Sequence, residues 1–317
     1  MNFHLLPASA SENAGQVDAI FWALTGLSAF ILVIVFVPLV YFSVKYRHGS
    51  QADRTPSKIP TWKFEVTWTI IPFFIGMGIF AWAADVYFHI ESPPADALDV
   101  NVVGKQWMWK LQHAEGNREI NELHLPVGRA VKLTMTSQDV IHDFFVPAFR
   151  AKQDVVPGRY TTEWFTPTRV GRYHIFCAQF CGTSHAAMIG WVDVMEPGDY
   201  QKWLVTTGQG ETMAAAGLRL FNQVGCSGCH SVGSKIHAPR LEGLYGRPVP
   251  LDGGQVVTAD DKYIRDSIVL PASQITAGYP NVMPSFAGRL SEEEIMELIA
   301  YIKSIADKQP ADYNPTP

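Results

Sequence analysis

The chain has 317 residues, of which 47% are hydrophobic and only 17% charged, against a usual charged share of about 25%. That balance excludes dominant disorder, collagen-like repeats and coiled-coil character, and a net charge of −5 argues against a nucleic-acid-binding surface. Four Cys are too few for a disulfide scaffold, and the length suggests two or three domains at roughly 100–200 residues each.

The apolar excess sits near the N-terminus. Ala19 to Val44 contains no charged residue, a run of about 26 against the roughly 20 needed to cross a bilayer. Val66 to Ala84 is a second uncharged run, bounded by Glu65 and Asp85. Core helices rarely stay apolar for so long, so both read as membrane-spanning helices, at about 19–44 and 66–88. The first run is too long for a signal-peptide core and lacks basic residues before it or a small-residue cleavage site after it, so it is expected to persist in the mature chain. Lys45, Arg47, Arg54, Lys58 and Lys63 lie between the runs. Positive-inside orientation puts loop 45–63 in the cytoplasm and the rest of the chain outside. Trp22, Trp62, Trp68, Trp82 and Tyr87 fall near the expected interfaces, and Pro38 and Pro72 inside the spans, where neighbouring helices tolerate them.

After Pro93-Pro94 the pattern changes to period two: Trp107, Trp109, Leu111; Val131, Leu133, Met135; Trp191, Val192, Val194. Pro-Gly turns separate these runs, as in an antiparallel β sandwich or barrel over residues 95–198. Thr206-Thr-Gly-Gln-Gly-Glu211 reads as a flexible linker within 199–212. From Met213 onward helical spacing returns, with candidates at Met213–Val224 and Lys262–Val269 and a capping box at Ser291-Glu-Glu-Glu294. Residues 213–317 therefore form a small all-α domain ending in a frayed tail, 310–317.

All four Cys fall in two motifs. Cys177-Ala-Gln-Phe-Cys181-Gly-Thr-Ser-His185-Ala-Ala-Met188 places two thiolates, an imidazole and a thioether within about a dozen residues, soft donors that suit copper over zinc. Two thiolates on one loop can bridge two metal ions, each needing its own imidazole. One is His185; His142, at the end of an apparent strand, and His174, three residues before Cys177, compete for the other. A disulfide between Cys177 and Cys181 is the plain alternative on the oxidising side of a membrane, disfavoured by the His and Met that follow.

The second motif, Cys226-Ser-Gly-Cys229-His230, is the pattern of covalent haem attachment, with His230 as the proximal ligand. Tyr279-Pro-Asn-Val-Met283-Pro-Ser-Phe286 offers Met283 in a Pro-bounded loop as sixth ligand. Met296, on the capped helix, and His237 are its rivals.

Together these stretches resemble subunit II of the haem–copper cytochrome c oxidases, in the bacterial caa form with a cytochrome c domain fused at the C-terminus. The resemblance rests on Gly104-Lys-Gln-Trp-Met-Trp109, Asp139-Val-Ile-His142, Val156-Pro-Gly-Arg159, Cys177 through Met188 and Cys226 through His230, and it covers nearly the whole chain. It implies a transmembrane hairpin with its N-terminal segment (1–94), an all-β cupredoxin domain of Greek-key type, and an all-α class I cytochrome c domain. It also implies that Cys177 and Cys181 bridge a binuclear CuA centre. His142 and Met188 would complete one copper; His185 and the main-chain carbonyl of Gln179 would complete the other. Trp107 matches the residue through which electrons come in, and Glu65 a carboxylate at the mouth of a proton-uptake path. Gly217 and Phe221 match the first cytochrome helix, and Pro239 the proline whose carbonyl orients the proximal His, with Ala238-Pro239 where the family usually has Gly-Pro.

Many relatives carry Glu where this chain has Gln179. That Glu also holds a magnesium ion at the boundary with subunit I, a contact that a neutral amide weakens. The implied function is that an external cytochrome or quinol-oxidising complex reduces the haem c, CuA takes the electron, and subunit I, accompanied by subunit III, reduces dioxygen to water with proton pumping in the bacterial inner membrane. Rival readings are the CuA subunit of a nitric oxide reductase, a copper-free quinol-oxidase subunit, disfavoured by the intact ligand set, and a free membrane-anchored shuttle, disfavoured by the second span.

Overall fold

The computed structural model describes residues 6–55, 60–208, 211–231 and 233–307. Lys58, the Gln209-Gly210 part of the linker and the 310–317 tail lie outside the described residues. Two compact units emerge, residues 12–92 and the remainder.

The first unit is a pair of helices, α1 (Ala14–Lys45) and α2 (Thr61–Ile90), both longer than the uncharged runs. Each is long and apolar enough to cross a bilayer, and the most apolar stretch of each is not buried anywhere in the chain. Phe30, Leu32, Phe74 and Phe80 are all more than half exposed, a surface that water would not tolerate and lipid or a partner subunit would cover. The hydroxyls of Thr25, Ser43, Thr67 and Thr69 each bond the carbonyl four residues back, as polar groups in hydrocarbon must. Pro38 and Pro72 are inside the helices, and Glu65 is on the early part of α2.

The second unit begins with a β sandwich. Ten strands run in chain order: β1 (Leu98–Lys105), β2 (Met108–His113), β3 (Arg118–Ile120), β4 (Glu122–Pro126), β5 (Val131–Ser137), β6 (His142–Val146), β7 (Ala151–Val155), β8 (Thr161–Phe165), β9 (Gly171–Cys177) and β10 (Ile189–Met195). They form two five-stranded sheets, β3-β2-β1-β5-β8 and β4-β10-β9-β6-β7. The sheets are not purely antiparallel as the turn pattern suggested. β1 pairs parallel with β5 and β10 parallel with β4, because strands that cross between the sheets return beside a strand of the same direction. Val100, Val102, Trp109, Leu111, Leu133, Phe144, Ile175 and Val192 fill the space between them, the inward half of each period-two run.

A strap before α1 also belongs to this domain rather than to the membrane segment. Ala10 is fully buried, its N–H donates to the Ala148 carbonyl, its carbonyl accepts from Thr168, and the Ser11 hydroxyl donates to the Phe149 carbonyl.

The expected linker 199–212 is corrected by α3 (Pro197–Thr207). Pro197 does not end a strand turn; it occupies the first helical turn, with Asp199 behind it, both favourable there. Tyr200, Trp203 and Leu204 fix the helix to the sandwich over a buried His113–Glu119–His124 cluster. His113 Nε2 donates to Glu119 (2.9 Å), so its Nδ1 accepts from the Tyr200 hydroxyl (3.2 Å). His124 Nδ1 bonds the other Glu119 oxygen, and its ring stacks on Trp203 at 4.6 Å.

Burial pushes Glu119 up, but hydrogen bonds from both imidazoles and the His124 N–H outweigh it and hold the carboxyl low. Burial pushes His124 down, but Glu119 chiefly, then Asp193 and Glu122, hold it high. Arg172 bonds both Glu122 and Asp193 from β9. The depressed carboxyl adds stability above its ordinary value of 4.5, lost as pH falls through the folded value; the raised imidazole adds stability below its ordinary 6.5, lost as pH rises through the folded value. The contribution of the cluster is therefore full between 4.5 and 6.5. Thermal melting of the full chain across pH should show His124→Gln removing a stabilisation that wild type loses on the alkaline side of that window, with the Glu119 acid limb retained.

The C-terminal part holds α4 (Met213–Gln223), α5 (Ser227–His230), a small β11 (Pro248–Pro250)/β12 (Val256–Thr258) hairpin that the all-α reading omitted, α6 (Asp261–Val269) and α7 (Glu292–Ser304). Thr212 caps α4 and Asp260 caps α6, and the Ser291/Glu294 capping box is formed in full, each cap worth about 1 kcal/mol. α4 crosses α7 at Gly217, where a Cβ would lie 1.9 Å from the Glu297 carbonyl oxygen; only Gly permits so close a crossing.

Candidate metal and haem centres

The first centre gathers at one end of the sandwich. β9 carries Cys177 on its inward face, the loop after it supplies Cys181, a single 3-10 turn carries His185, and Met188 stands immediately before β10. β6 pairs with β9 at Phe144 and Cys177, which brings His142, at the start of β6 rather than the end of a strand, to the cysteines. Cys177 Sγ lies 3.7 Å from Cys181 Sγ, 3.9 Å from His142 Nδ1 and 3.2 Å from the Gln179 carbonyl oxygen. Cys181 Sγ lies 3.4 Å from His185 Nδ1 and 3.9 Å from Met188 Sδ. His142 and Met188 are fully buried and Cys181 is 3% exposed. All the copper-type donors expected from sequence converge; the Gln179 side chain is exposed. His174 is on the outward face of β9, its ring tilted against Trp191 with centroids 3.8 Å apart, so strand alternation removes it from the site.

Two side chains inside the quoted motifs, given no role from sequence, organise the surroundings. Asp139 accepts from His142 Nε2 (2.8 Å) and from the Gln106 N–H (2.8 Å). With the Nε2 proton held there, His142 presents the Nδ1 lone pair to the cysteines, the orientation a metal ligand needs. Gln106 Nε2 donates to the Cys181 carbonyl (2.7 Å), tying the Trp107 turn to the cysteine loop. Gly182, at φ +118°, lets Trp107 approach: a Cβ there would be 3.3 Å from the indole.

Burial disfavours the Cys177 thiolate, yet hydrogen bonds from His142 and the Asp143 and Gln179 backbone outweigh it and hold the thiol low; burial and the neighbouring Cys177 push Cys181 up. Burial likewise opposes a charged His142, but Cys177 and Asp139 raise its pKa. The set fits copper. Both cysteines are free, with sulfurs too far apart for a disulfide, whose S–S length is about 2.05 Å. Ligand atoms of His142, Cys177 and Cys181 lie within 4.8 Å of one another, with no carboxylate in that group among the described residues, and two thiols, two imidazoles and a thioether form a soft set.

The second centre is an apolar cleft in the C-terminal domain, about 1370 Å³ including its open mouth. Cys226, Cys229 and His230 form one part of its wall and Met283 another; Phe221, Ile268, Phe286, Leu298 and Ile302 supply much of the rest. His230 Nδ1 donates to the Pro239 carbonyl at 2.7 Å, so Ala238 in place of Gly does not disturb that bond, and Nε2 is left free to ligate. Covalent attachment needs both thiols, and both are free at the cleft. The cleft thus fits a flat apolar macrocycle held from two sides. Met296 is absent from its wall and packs instead with Val103 and Met213. His237 is exposed at the rim, stacked on Tyr279 at 4.6 Å with Nε2 3.2 Å from the Gly278 carbonyl.

Comparisons with known proteins agree with these two centres. The family model described as "Cytochrome C oxidase subunit II, periplasmic domain" matches residues 117–195, and that described as "Cytochrome C oxidase, cbb3-type, subunit III" matches residues 212–302. "Alternative cytochrome c oxidase subunit 2" of Bradyrhizobium diazoefficiens is 33% identical over 231 residues, 61% of this chain and 81% of that protein. "Cytochrome c oxidase subunit 2" of Alkalihalophilus pseudofirmus is 28% identical over 308 residues, 90% of this chain and 87% of that one. The solved periplasmic domain of cytochrome oxidase subunit II from Bradyrhizobium japonicum is 30% identical with a TM-score of 0.35, covering 36% of this chain and 95% of that one. With four-fifths of a relative matched at a third identity and the copper-type donors assembled, the chain belongs to the cytochrome c oxidase subunit 2 family, in a form that carries a cytochrome c domain.

Proposed function

We propose that this chain receives electrons from outside the membrane and delivers them to the oxygen-reducing subunit of a terminal respiratory oxidase, with proton pumping coupled to that reduction. The observation that carries this reading is the convergence of His142, Cys177, Cys181, His185, Met188 and the Gln179 carbonyl on one buried point. When bound, a c-type haem and a CuA copper pair supply the reversible one-electron chemistry of the transfer.

The chain's own residues hold and orient those groups. Cys226 and Cys229 would anchor the haem, and His230 and Met283 would hold its iron. Cys177 and Cys181 would be shared by the coppers, with His142 and Met188 holding one and His185 and the Gln179 carbonyl the other. Burial of His142, Cys177, Cys181 and Met188 at that end of the sandwich would keep water from the set. The Trp107 turn, pinned by Gln106 to the Cys181 carbonyl, is where an electron reaches the cysteine loop. Gln179 offers only a neutral, exposed amide to a magnesium ion, a poor ligand for a hard cation. Glu65, on α2, serves proton uptake into the neighbouring subunit.

Residues before and after the helix pair belong to one compact unit, as a chain that enters and leaves the membrane on the same side requires. We place the helices in a bacterial inner membrane beside oxidase subunits I and III, with the outer domains periplasmic and a cytochrome or quinol-oxidising complex as donor. Metal analysis and copper EPR on the purified full chain, matured with copper and haem, test the reading. Roughly two coppers per haem iron, with one unpaired spin shared between them, is the expected result. A single copper with an unshared spin, or haem without copper, overturns it.

A further inference from the structure

We infer that the α7 face bearing Glu293 and Glu297 is a built docking surface, and that it clamps the haem-bearing domain onto the β1/β2/β3 face of the sandwich in the working protein. The inference rests on reading residues 213–307 as the haem domain. The polar linker alone leaves open whether that domain docks or swings.

α7 has two working faces. Leu298 and Ile302 look into the haem cleft, while Glu293, Met296 and Glu297 meet the sandwich. Glu297 is only 4% exposed, a carboxylate that must be paired to be buried. Its partners come from the other domain: Gln112 Nε2 at 3.3 Å, on β2, and the Arg118 guanidinium, on edge strand β3. One turn earlier, Glu293 accepts from Lys110 Nζ and Gln138 Nε2, both at 2.7 Å. Strand register explains the match. Lys110 and Gln112 alternate with inward Leu111, and Arg118 is the register partner of Gln112, so three donors form one outward notch opposite two glutamates a helical turn apart.

Other contacts extend the clamp. Arg265, on α6, reaches Glu292 with two nitrogens (3.1 and 2.5 Å) and donates a third to the Gly158 carbonyl of the sandwich at 3.1 Å. The Met213 N–H donates to the Ala114 carbonyl at 3.1 Å, and Val103, Met213 and Met296 form an apolar plug beside the charges. A carboxylate buried with complementary partners from a second domain is what a specific interface needs and what a passing encounter lacks. The clamp also has a direction. Gln138 immediately precedes Asp139, the residue that holds His142, so the first turn of α7 is seated beside the copper end of the sandwich.

The full chain, loaded with copper and haem, should be treated with a zero-length carbodiimide, which couples a carboxylate to an amine only when they are in contact. The expected product is an amide between Glu293 and Lys110, identified by peptide mass spectrometry. Arg118→Glu leaves Glu297 facing a like charge, on a half-exposed edge residue whose change spares both cores; it should cut that product at least tenfold and slow electron exchange between haem and copper with it. The swap Arg118→Glu/Glu297→Arg should restore both. Absence of the linked pair in a chain with intact haem and copper spectra overturns the clamp, as does a linked pair indifferent to Arg118→Glu. Missing copper or haem signals count against the proposed function instead, since the linkage is read separately from the metals.

Discussion

Cys177→Ser should break up the proposed copper pair and leave the haem in place. Cys177 stands between His142 Nδ1 and the Gln179 carbonyl and faces Cys181 across 3.7 Å, so it is the donor common to both proposed copper positions. Serine keeps the shape but offers a hard alcohol with a high pKa where a soft, readily ionised thiol is needed. What remains, Cys181 with His185 at 3.4 Å and Met188 at 3.9 Å, is a ligand set for one ion. Metal analysis should show copper per haem iron falling from roughly two to one or less. Changes that merely misorient metal ligands cost about 10–100-fold, so electron delivery from haem to the oxidase should fall by more than that. The haem absorption should be unchanged, because α4–α7 draw their core from Phe221, Ile264, Ile295 and Leu298 and share no residue with the cysteine loop. Cys226→Ser should show the reverse pattern, with copper retained and haem attachment impaired. Two coppers retained in Cys177→Ser would mean that the thiol does not bridge.

The features legible in the sequence were those set by short-range chemistry. The CxxCH run, the Ser291/Glu294 cap and the apolar spans each depend on residues within a turn or two of one another, whereas the choice between His142 and His174 waited on the face that β9 turns outward at His174. The features that escaped depend on distant partners. α3 looks polar and Gly-flanked in isolation; it is a helix because Tyr200 and Trp203 find His113 and His124 some 80–90 positions earlier. Glu297 reads as an ordinary solvent-facing residue of an amphipathic helix, and only the arrival of Gln112 and Arg118 makes it a buried one. The strap at Ala10 gives no local signal either, since its bonds go to Ala148 and Thr168. Asp139 and Gln106 lay inside recognised motifs but acquire roles only when the fold sets one carboxylate between a backbone N–H and an imidazole.

Met283→Ala and Met296→Ala should separate cleanly, although both remove a methionine from the same domain. Met283 lies on the cleft wall, as Phe286 does, in a loop bounded by Pro280 and Pro284. With the haem anchored at Cys226 and Cys229 as proposed, the Met283→Ala chain should keep its haem, lose the proposed sixth ligand, and bind an added ligand such as cyanide or imidazole that the wild type resists. A thioether opposite His raises the potential of a haem iron relative to other axial pairings; without it the potential should fall, and the rate of transfer to copper should fall with the lost driving force. Added imidazole should restore six-coordination without restoring the potential, which distinguishes loss of the thioether from collapse of the pocket. Met296 touches no part of the cleft and packs with Val103 and Met213 at the domain interface. Its truncation should leave the haem spectrum and potential alone while loosening the interface, a cost of about 2–5 kcal/mol for a buried Met truncated to Ala. The spectrum therefore reports on one methionine and the domain contact on the other. If Met296→Ala rather than Met283→Ala opened the iron to external ligands, the assignment of the axial thioether would have to be reversed.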